Sequence, residues 1–209
     1  MKVFDEIRDF IEREIVPRYD GFDAGHNRDH VNTVISQALS LAEFYPDVDR
    51  CLLLVAAAYH DLGLINGREH HHTDSARIVR EDERLRQWFN EEEINTIADA
   101  AEDHRASSDH EPRTIYGRIV AEADRIIDSN TIVRRALQYG MKHQPGLDRE
   151  GQYQRLMEHM REKYDYGGYL KLWIPHGENA KRLEEFRQTL ADEQSFRKLF
   201  DTIYDLLTQ

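Results

Sequence analysis

The chain has 209 residues, a formal net charge of −12 and an isoelectric point near 5.4. This acidity argues against a protein that binds extended DNA or RNA, because nucleic-acid affinity comes largely from Lys and Arg neutralising phosphates. A length of 209 residues with 40% hydrophobic and 33% charged residues suits one folded domain over residues 1–209. The single cysteine, Cys51, excludes an internal disulfide.

The N-terminal segment predicts the cellular location. MKVFDEIRDFIEREI lacks the basic start and the unbroken apolar region of a signal peptide. No apolar run in the chain approaches the roughly 20 residues needed to span a bilayer. We therefore expect a cytoplasmic protein that does not act at a membrane.

The first half of the chain shows helical periodicity. Apolar residues recur at helical spacing from Val3 to Ile15 and from Asp29 to Phe44, so each stretch predicts an amphipathic helix. A third helix, after Pro46, carries the run CLLLVAAAY. Because this run is apolar on nearly every side, we expect it at the centre of the domain.

Helical patterns continue to the end of the chain. Asn90, followed by three glutamates, predicts the N-cap of a helix through INTIADAAEDH, and TIYGRIVAEADRIID predicts another. Further helical patterns cover 131–140, 150–162 and 178–208. Strand alternation is absent from the pattern, so the sequence predicts an all-α fold. Segment 164–177, rich in aromatic residues and glycine, suits either a pocket wall or a packed connecting loop.

The apolar third helix ends in His60 and Asp61. A carboxylate in so apolar a setting needs a hydrogen-bond donor, a counter-ion or a metal, because an unpaired buried charge is too costly. A helix end lets two adjacent side chains turn toward one point, and Gly63 then stops the helix and permits close backbone approach. Neutral imidazole and carboxylate are both good ligands for divalent transition metals.

Three more polar residues interrupt faces that the pattern predicts to be buried. His30 precedes the inward face of the second helix, His104 continues an apolar stripe, and Asp124 interrupts another. Each residue alone is typically a hydrogen-bonded core group or a cap. The coincidence of all of them favours a shared metal site. The loop run His70–His72 is weaker evidence, because exposed histidines are common.

These residues resemble the pattern of the HD superfamily of metal-dependent phosphohydrolases over roughly residues 22–130. His30 in GHNRDHVNTV is similar to the first histidine of the family, and Asp124 in AEADRIID is similar to its late aspartate. His60 and Asp61 resemble the pair that names the family. The resemblance implies that these four residues hold one metal ion.

Binuclear members of the superfamily have further ligands. The spacing in HHTDSA resembles their extra histidine and selects His71, with His72 as the alternative, and DHRAS places His104 where they have another ligand. Asp61 could bridge the two ions. The resemblance therefore implies one or two divalent ions, from among Mn, Fe, Co, Mg, Ni and Zn. The chain departs from many relatives at Leu64, where they have lysine, and it lacks the GYP element of the cyclic-dinucleotide branch.

The resemblance implies an architecture as well. Residues 22–130 would form the HD metal-binding core, an all-α helical bundle. Residues 131–209 would add a C-terminal helical extension within the same domain.

The function implied is a metal-dependent phosphohydrolase that acts on a small phosphate ester or anhydride, with a nucleotide as the favoured substrate. His60 and Asp61 would be the catalytic residues. Candidates for holding phosphate are basic side chains, since guanidinium recognises phosphate bidentately: Arg28, Arg105, Arg125 and Lys171. Two alternatives stay open, a diiron oxygenase of HD fold and a regulatory module that keeps the metal without turnover.

Overall fold

The computed structural model describes residues 2–23, 25–106, 108, 110–125, 127–175 and 177–208. Within these ranges the regular structure consists of ten α-helices joined by short helical turns and loops, and it contains no strand. The prediction of an all-α fold is confirmed. None of the described helices is both long and apolar enough to cross a bilayer.

The chain packs as two compact units, Met1–Arg125 and Ile126–Gln209. The first unit contains α1 (Lys2–Phe10), α2 (Arg28–Leu41), α3 (Arg50–Tyr59), α4 (His71–Glu81), α5 (Glu91–Glu102) and α6 (Ile115–Asp124). The second unit contains α7 (Ser129–His143), α8 (Arg149–Tyr164), α9 (Glu178–Ala191) and α10 (Glu193–Thr208). The proposed division into a core at 22–130 and an extension at 131–209 stays a prediction.

Helix α3 lies at the centre of the first unit, as its apolar sequence predicts. Asp49 caps the helix by accepting a hydrogen bond from the Cys51 N–H, and every residue from Leu52 to Tyr59 is buried. Helices α1, α2, α4, α5 and α6 all contact α3. Because α3 is surrounded, the residues that follow its C-terminal end enter the interior of the unit.

Helix α4 is the element that the sequence patterns do not predict. Its buried residues are only Ser75, Ala76 and Val79, too short a stripe to show helical periodicity. The interpretation of the histidine run as a loop is therefore wrong for His71 and His72, which begin α4. His70 is the N-cap residue.

Gly63 determines how closely α4 approaches the end of α3. A Cβ added to Gly63 would lie 2.0 Å from the His71 carbonyl oxygen and 2.6 Å from the Ser75 nitrogen. The Gly63 N–H donates to the Ser75 hydroxyl at 2.9 Å. Only glycine permits this contact. Helix α3 already ends at Tyr59, so the expectation that Gly63 stops this helix is wrong. Gly63 serves the contact with α4 instead.

The second unit has an aromatic core. Phe186, Phe196 and Phe200 are fully buried, and the Tyr153 ring packs against Phe200 with 5.1 Å between centroids. The helical pattern over 178–208 forms two helices, because the chain leaves α9 at Asp192 and starts α10 directly after it.

The aromatic segment after α8 folds back onto that helix. The N–H groups of Tyr169 and Leu170 donate to the carbonyl oxygens of Glu162 and Lys163 at 3.1 and 3.0 Å. Leu170 and Ile174 are buried. These contacts favour the packed connecting loop over the pocket wall.

Candidate metal centre

Four of the polar residues singled out in the sequence meet in the first unit. His30, His60, Asp61 and Asp124 each offer one donor atom, and these atoms all lie within 4.8 Å of one another. His30 Nε2 lies 3.1 Å from Asp124 Oδ1 and 3.3 Å from His60 Nε2. His60 Nε2 lies 3.2 Å from Asp61 Oδ2. We call these four residues the first cluster.

A second cluster shares Asp61 with the first and adds His71 and His104. The Nε2 atoms of His71 and His104 are 3.2 Å apart, and they lie 3.6 and 3.4 Å from Asp61 Oδ1. Asp61 therefore directs Oδ2 to the first cluster and Oδ1 to the second. This is the bridging position that the resemblance implies.

Helix ends bring these side chains together. The donors lie in a terminal turn of a helix or just beyond it: His30 in α2, His60 and Asp61 after α3, His71 in α4, His104 after α5 and Asp124 in α6. The terminal turns of helices leave backbone groups without helical partners. Those groups are therefore available to orient the side chains of the site.

Three of the four imidazole rings are oriented by the same backbone contact. Nδ1 of His60, His71 and His104 donates to the carbonyl oxygen three residues earlier, at 2.8, 2.8 and 2.5 Å respectively. Since a carbonyl oxygen only accepts, Nδ1 carries the proton and the neutral ring has its lone pair on Nε2, the atom that faces the cluster. Contacts of this kind prepare histidines for metal binding. His30 differs, because its buried Nδ1 has no hydrogen-bond partner among the described residues.

The two clusters differ in their electrostatics. Burial acts to lower the pKa of His60, but Asp61 and Asp124 outweigh burial and raise it well above its ordinary value. The same carboxylates raise the pKa of His30 against the effect of burial. By contrast, burial and the neighbouring His104 lower the pKa of His71 to about 4. The carboxylates thus favour protonation of the first-cluster histidines when no metal is bound, whereas a pKa of about 4 leaves His71 neutral at ordinary pH.

The donor set fits a divalent metal ion. It offers four imidazole nitrogens and two carboxylates, the nitrogen and oxygen ligands of zinc, iron and manganese. The His71 Nε2 lone pair faces Asp61 Oδ1, and neither atom has a proton to donate to the other. A cation satisfies both acceptors at once. The two clusters together could therefore hold divalent metal.

Arg28 and Arg125, two of the four predicted phosphate-binding residues, already have hydrogen-bond partners in the first unit. Arg28 forms a two-point ion pair with Asp20, with Nη2 at 2.6 Å from Oδ2 and Nε close to Oδ1. Arg125 is 6% exposed, and its Nη1 donates to the Ala121 carbonyl. Lys171 lies in the second unit, and its role in holding phosphate stays a prediction.

Arg105 lies beside the second cluster. Its Nη1 donates to the Glu69 carbonyl at 2.8 Å and lies 3.2 Å from Nδ1 of His72. The structure thus places His71 in the second cluster and His72 at its rim. The family resemblance left His72 as the alternative to His71 as a ligand.

Arg68 also lies at the rim of the site, and sequence reasoning missed it. Its carbonyl oxygen is the acceptor for His71 Nδ1, while its guanidinium lies 3.2 Å from Nε2 of His26. The His26 ring in turn contacts the His30 ring, with 5.8 Å between centroids. The side chain of Arg68 is 70% exposed. Nothing in the spacing of this exposed loop distinguishes Arg68 from an ordinary surface arginine.

The comparison with known families agrees with this geometry. The HD domain family matches residues 28–127, a range that contains all six residues of the two clusters. Neither the curated proteins nor the solved structures contain a match to the chain. HD domains bind divalent metals, and the family consists generally of hydrolases. Residues 28–127 of this chain therefore match an HD domain.

Proposed function

We propose that this protein is a metal-dependent phosphohydrolase with a centre for two divalent ions, acting on a small phosphate ester or anhydride. The observation that carries the proposal is the shared carboxylate of Asp61, whose two oxygens face two separate groups of histidines. Superfamily members of similar size include nucleotide phosphohydrolases, so a nucleotide is the first substrate class to test.

The residues of each cluster would hold one ion. His30, His60, Asp61 and Asp124 suit the first, and Asp61 with His71 and His104 suits the second. Two divalent ions bound there would activate water and neutralise the charge that develops on a phosphate oxygen during displacement.

The chain's own contribution is a rigid arrangement of donors. His60 is fully buried and Asp61 is 3% exposed, so neither side chain is free to rotate into solvent. The backbone contacts of the three oriented histidines keep their Nε2 atoms directed at the centre. Held in this way, the donors need little reorganisation when metal and substrate bind.

The rim supplies positive charge for a small anion. Among the described residues, Arg68 has one carboxylate near it, Asp23 at 3.7 Å, and its closer contact is the imidazole of His26. Its guanidinium can therefore turn toward a bound phosphate more easily than that of Arg28, which would first have to leave Asp20. Arg105 adds a second guanidinium beside His72. The net charge of −12 opposes binding of a polyanion, which favours a small substrate.

The first test combines metal content with phosphate release. Elemental analysis of freshly purified wild type should give two equivalents of divalent metal, and His104→Ala should fall toward one. Nucleoside mono-, di- and triphosphates are then assayed with manganese, cobalt and magnesium. Metal-dependent phosphate release that is lost in Asp61→Ala supports the proposal, and wild type that binds no metal contradicts it.

Two other outcomes of the same experiments would assign a different function. Iron-dependent oxygen consumption without phosphate release would make the protein a diiron oxygenase. Tight binding of a nucleotide without any product would make it a regulatory module.

A further inference from the structure

The side chain of Tyr19 connects the segment before α2 to the turn that carries Asp61. Tyr19 lies in a 3₁₀ helix, Val16–Gly21, and is fully buried. Its hydroxyl donates to the Ala58 carbonyl at 2.8 Å and accepts from the Asp61 N–H at 3.4 Å. One hydroxyl group therefore contacts both sides of the turn after α3.

This contact lies where α3 ceases to supply hydrogen-bond partners. Helix α3 ends at Tyr59, and the carbonyl oxygens of a last helical turn have no donors within the helix. The Ala57 carbonyl accepts from the ring of His60, and the Ala58 carbonyl accepts from Tyr19. Because side chains satisfy both carbonyls, the backbone can leave the helix before Asp61 at little cost.

The position of the Asp61 backbone matters for both clusters. Aspartate has a single methylene between Cα and its carboxylate, so the two oxygens follow any shift of the backbone. Oδ2 lies 3.2 Å from His60 Nε2, and Oδ1 lies 3.4 Å from His104 Nε2. A functional site needs its groups held to within roughly 0.5 Å. A shift that shortens contacts to one cluster therefore lengthens contacts to the other.

We propose that Tyr19 is a positioning residue for the metal centre: its hydroxyl fixes the Asp61 backbone so that one carboxylate serves both clusters. The inference rests on the metal centre of the proposed function and not on the substrate.

Tyr59 provides a matched control for Tyr19. It is also fully buried, and its hydroxyl donates to Asp82 Oδ2 at 2.8 Å, outside both clusters. Tyr19→Phe and Tyr59→Phe each remove one buried hydroxyl and a hydrogen bond of similar length. Only Tyr19→Phe removes the contact with the Asp61 backbone.

The experiment is a titration of manganese into metal-free wild type, Tyr19→Phe and Tyr59→Phe by calorimetry, with a thermal unfolding curve for each protein. We expect Tyr19→Phe to weaken manganese affinity about 10- to 100-fold, the usual effect of losing an outer contact to a ligand. Tyr59→Phe should bind as wild type does, although both variants unfold at lower temperature.

Wild-type affinity in Tyr19→Phe would overturn the inference, and so would an equal loss of affinity in both variants. If Tyr19→Phe does not fold, fluorotyrosine is placed at position 19, where it keeps the ring and weakens the hydroxyl as an acceptor. Manganese affinity must then still fall. An unchanged affinity would overturn the inference. Wild type that binds manganese but releases no phosphate would overturn the phosphohydrolase proposal alone. Wild type that binds no manganese would overturn both.

Discussion

The two clusters share one carboxylate, but the chain builds them differently. The first takes its donors from α2, α6 and the end of α3, and it contains two carboxylates and the fully buried His60. The second takes its donors from the start of α4 and the end of α5, and the side chain of His71 is 16% exposed. The extra carboxylate gives the first cluster more charge to attract a cation. We therefore expect the first cluster to bind metal more tightly and the ion of the second cluster to dissociate first.

The largest effect should come from Asp61→Ala, because this change removes the residue that the clusters share. Metal content should fall from two equivalents to none, and activity should fall on the order of 10³-fold or more. Elemental analysis and phosphate release measure both. Asp74→Ala is the control, since Asp74 is an aspartate of α4 that pairs with Arg77 at 2.9 Å and belongs to neither cluster. Two equivalents of metal in Asp61→Ala would contradict the shared role.

Replacing a histidine of one cluster should affect the metal ion of that cluster more than the other ion. His104→Ala should leave one tightly held ion, because all four donors of the first cluster remain. His60→Ala should weaken retention of the first ion and also lower stability, since its ring is fully buried beside the end of α3. Metal analysis after dialysis distinguishes the two variants. Identical losses of metal would show that the clusters act as one site.

Gly63→Ala should damage the second cluster selectively. The added Cβ would lie 2.0 Å from the His71 carbonyl oxygen, so the start of α4 must move away. We expect loss of the second ion, retention of the first, and a decrease of about 1–3 kcal/mol in the free energy of unfolding. Gly21→Ala is the control, because a Cβ there meets nothing within 4 Å. A Gly63→Ala protein with two ions and wild-type stability in denaturant would show that α4 tolerates the shift.

The two clusters should also respond differently to pH. The pKa values of His30 and His60 are raised, so metal must displace protons there, and affinity should rise as pH increases above the ordinary histidine pKa of about 6.5. His71, with a pKa lowered to about 4, is already neutral in that range and has no proton to release. Calorimetry in buffers of different ionisation enthalpy counts the protons. The single ion that His104→Ala binds should release more protons than the second ion that wild type binds. Equal release would contradict the difference in pH response between the clusters.

The smallest effect should come from Arg68→Gln, which removes the charge at the rim and keeps the carbonyl that orients His71. We expect KM for a phosphorylated substrate to rise about 3- to 10-fold with kcat and metal content nearly unchanged, because an exposed guanidinium contributes modestly to binding. Arg77→Gln is the control, since Arg77 is 51% exposed and pairs with Asp74 and Glu81. Steady-state kinetics would contradict the role if both variants behaved alike.

Local sequence patterns were sufficient to predict most of the helices and the burial of most of the site residues. Asn90 caps α5 as predicted, and its partner Glu93 completes the reciprocal contact, because both groups lie within one turn of chain. His30 and His104 are buried as the apolar periodicity of α2 and α5 predicts. Helix α4 escaped prediction because packing against α5, rather than its own apolar pattern, stabilises it.

The sequence by itself determined that the fold is all-α, that α3 is central and that five polar residues on predicted buried faces favour a shared metal site, since helical periodicity and helix caps depend on neighbours within a few positions. The tertiary structure alone decided which histidine of the run joins Asp61, because that depends on where α4 begins and on the close contact of its first turn with Gly63. It also decided the roles of Tyr19 and Arg68. Each contacts a partner 42 positions away in the chain, and no local pattern encodes contacts over that distance.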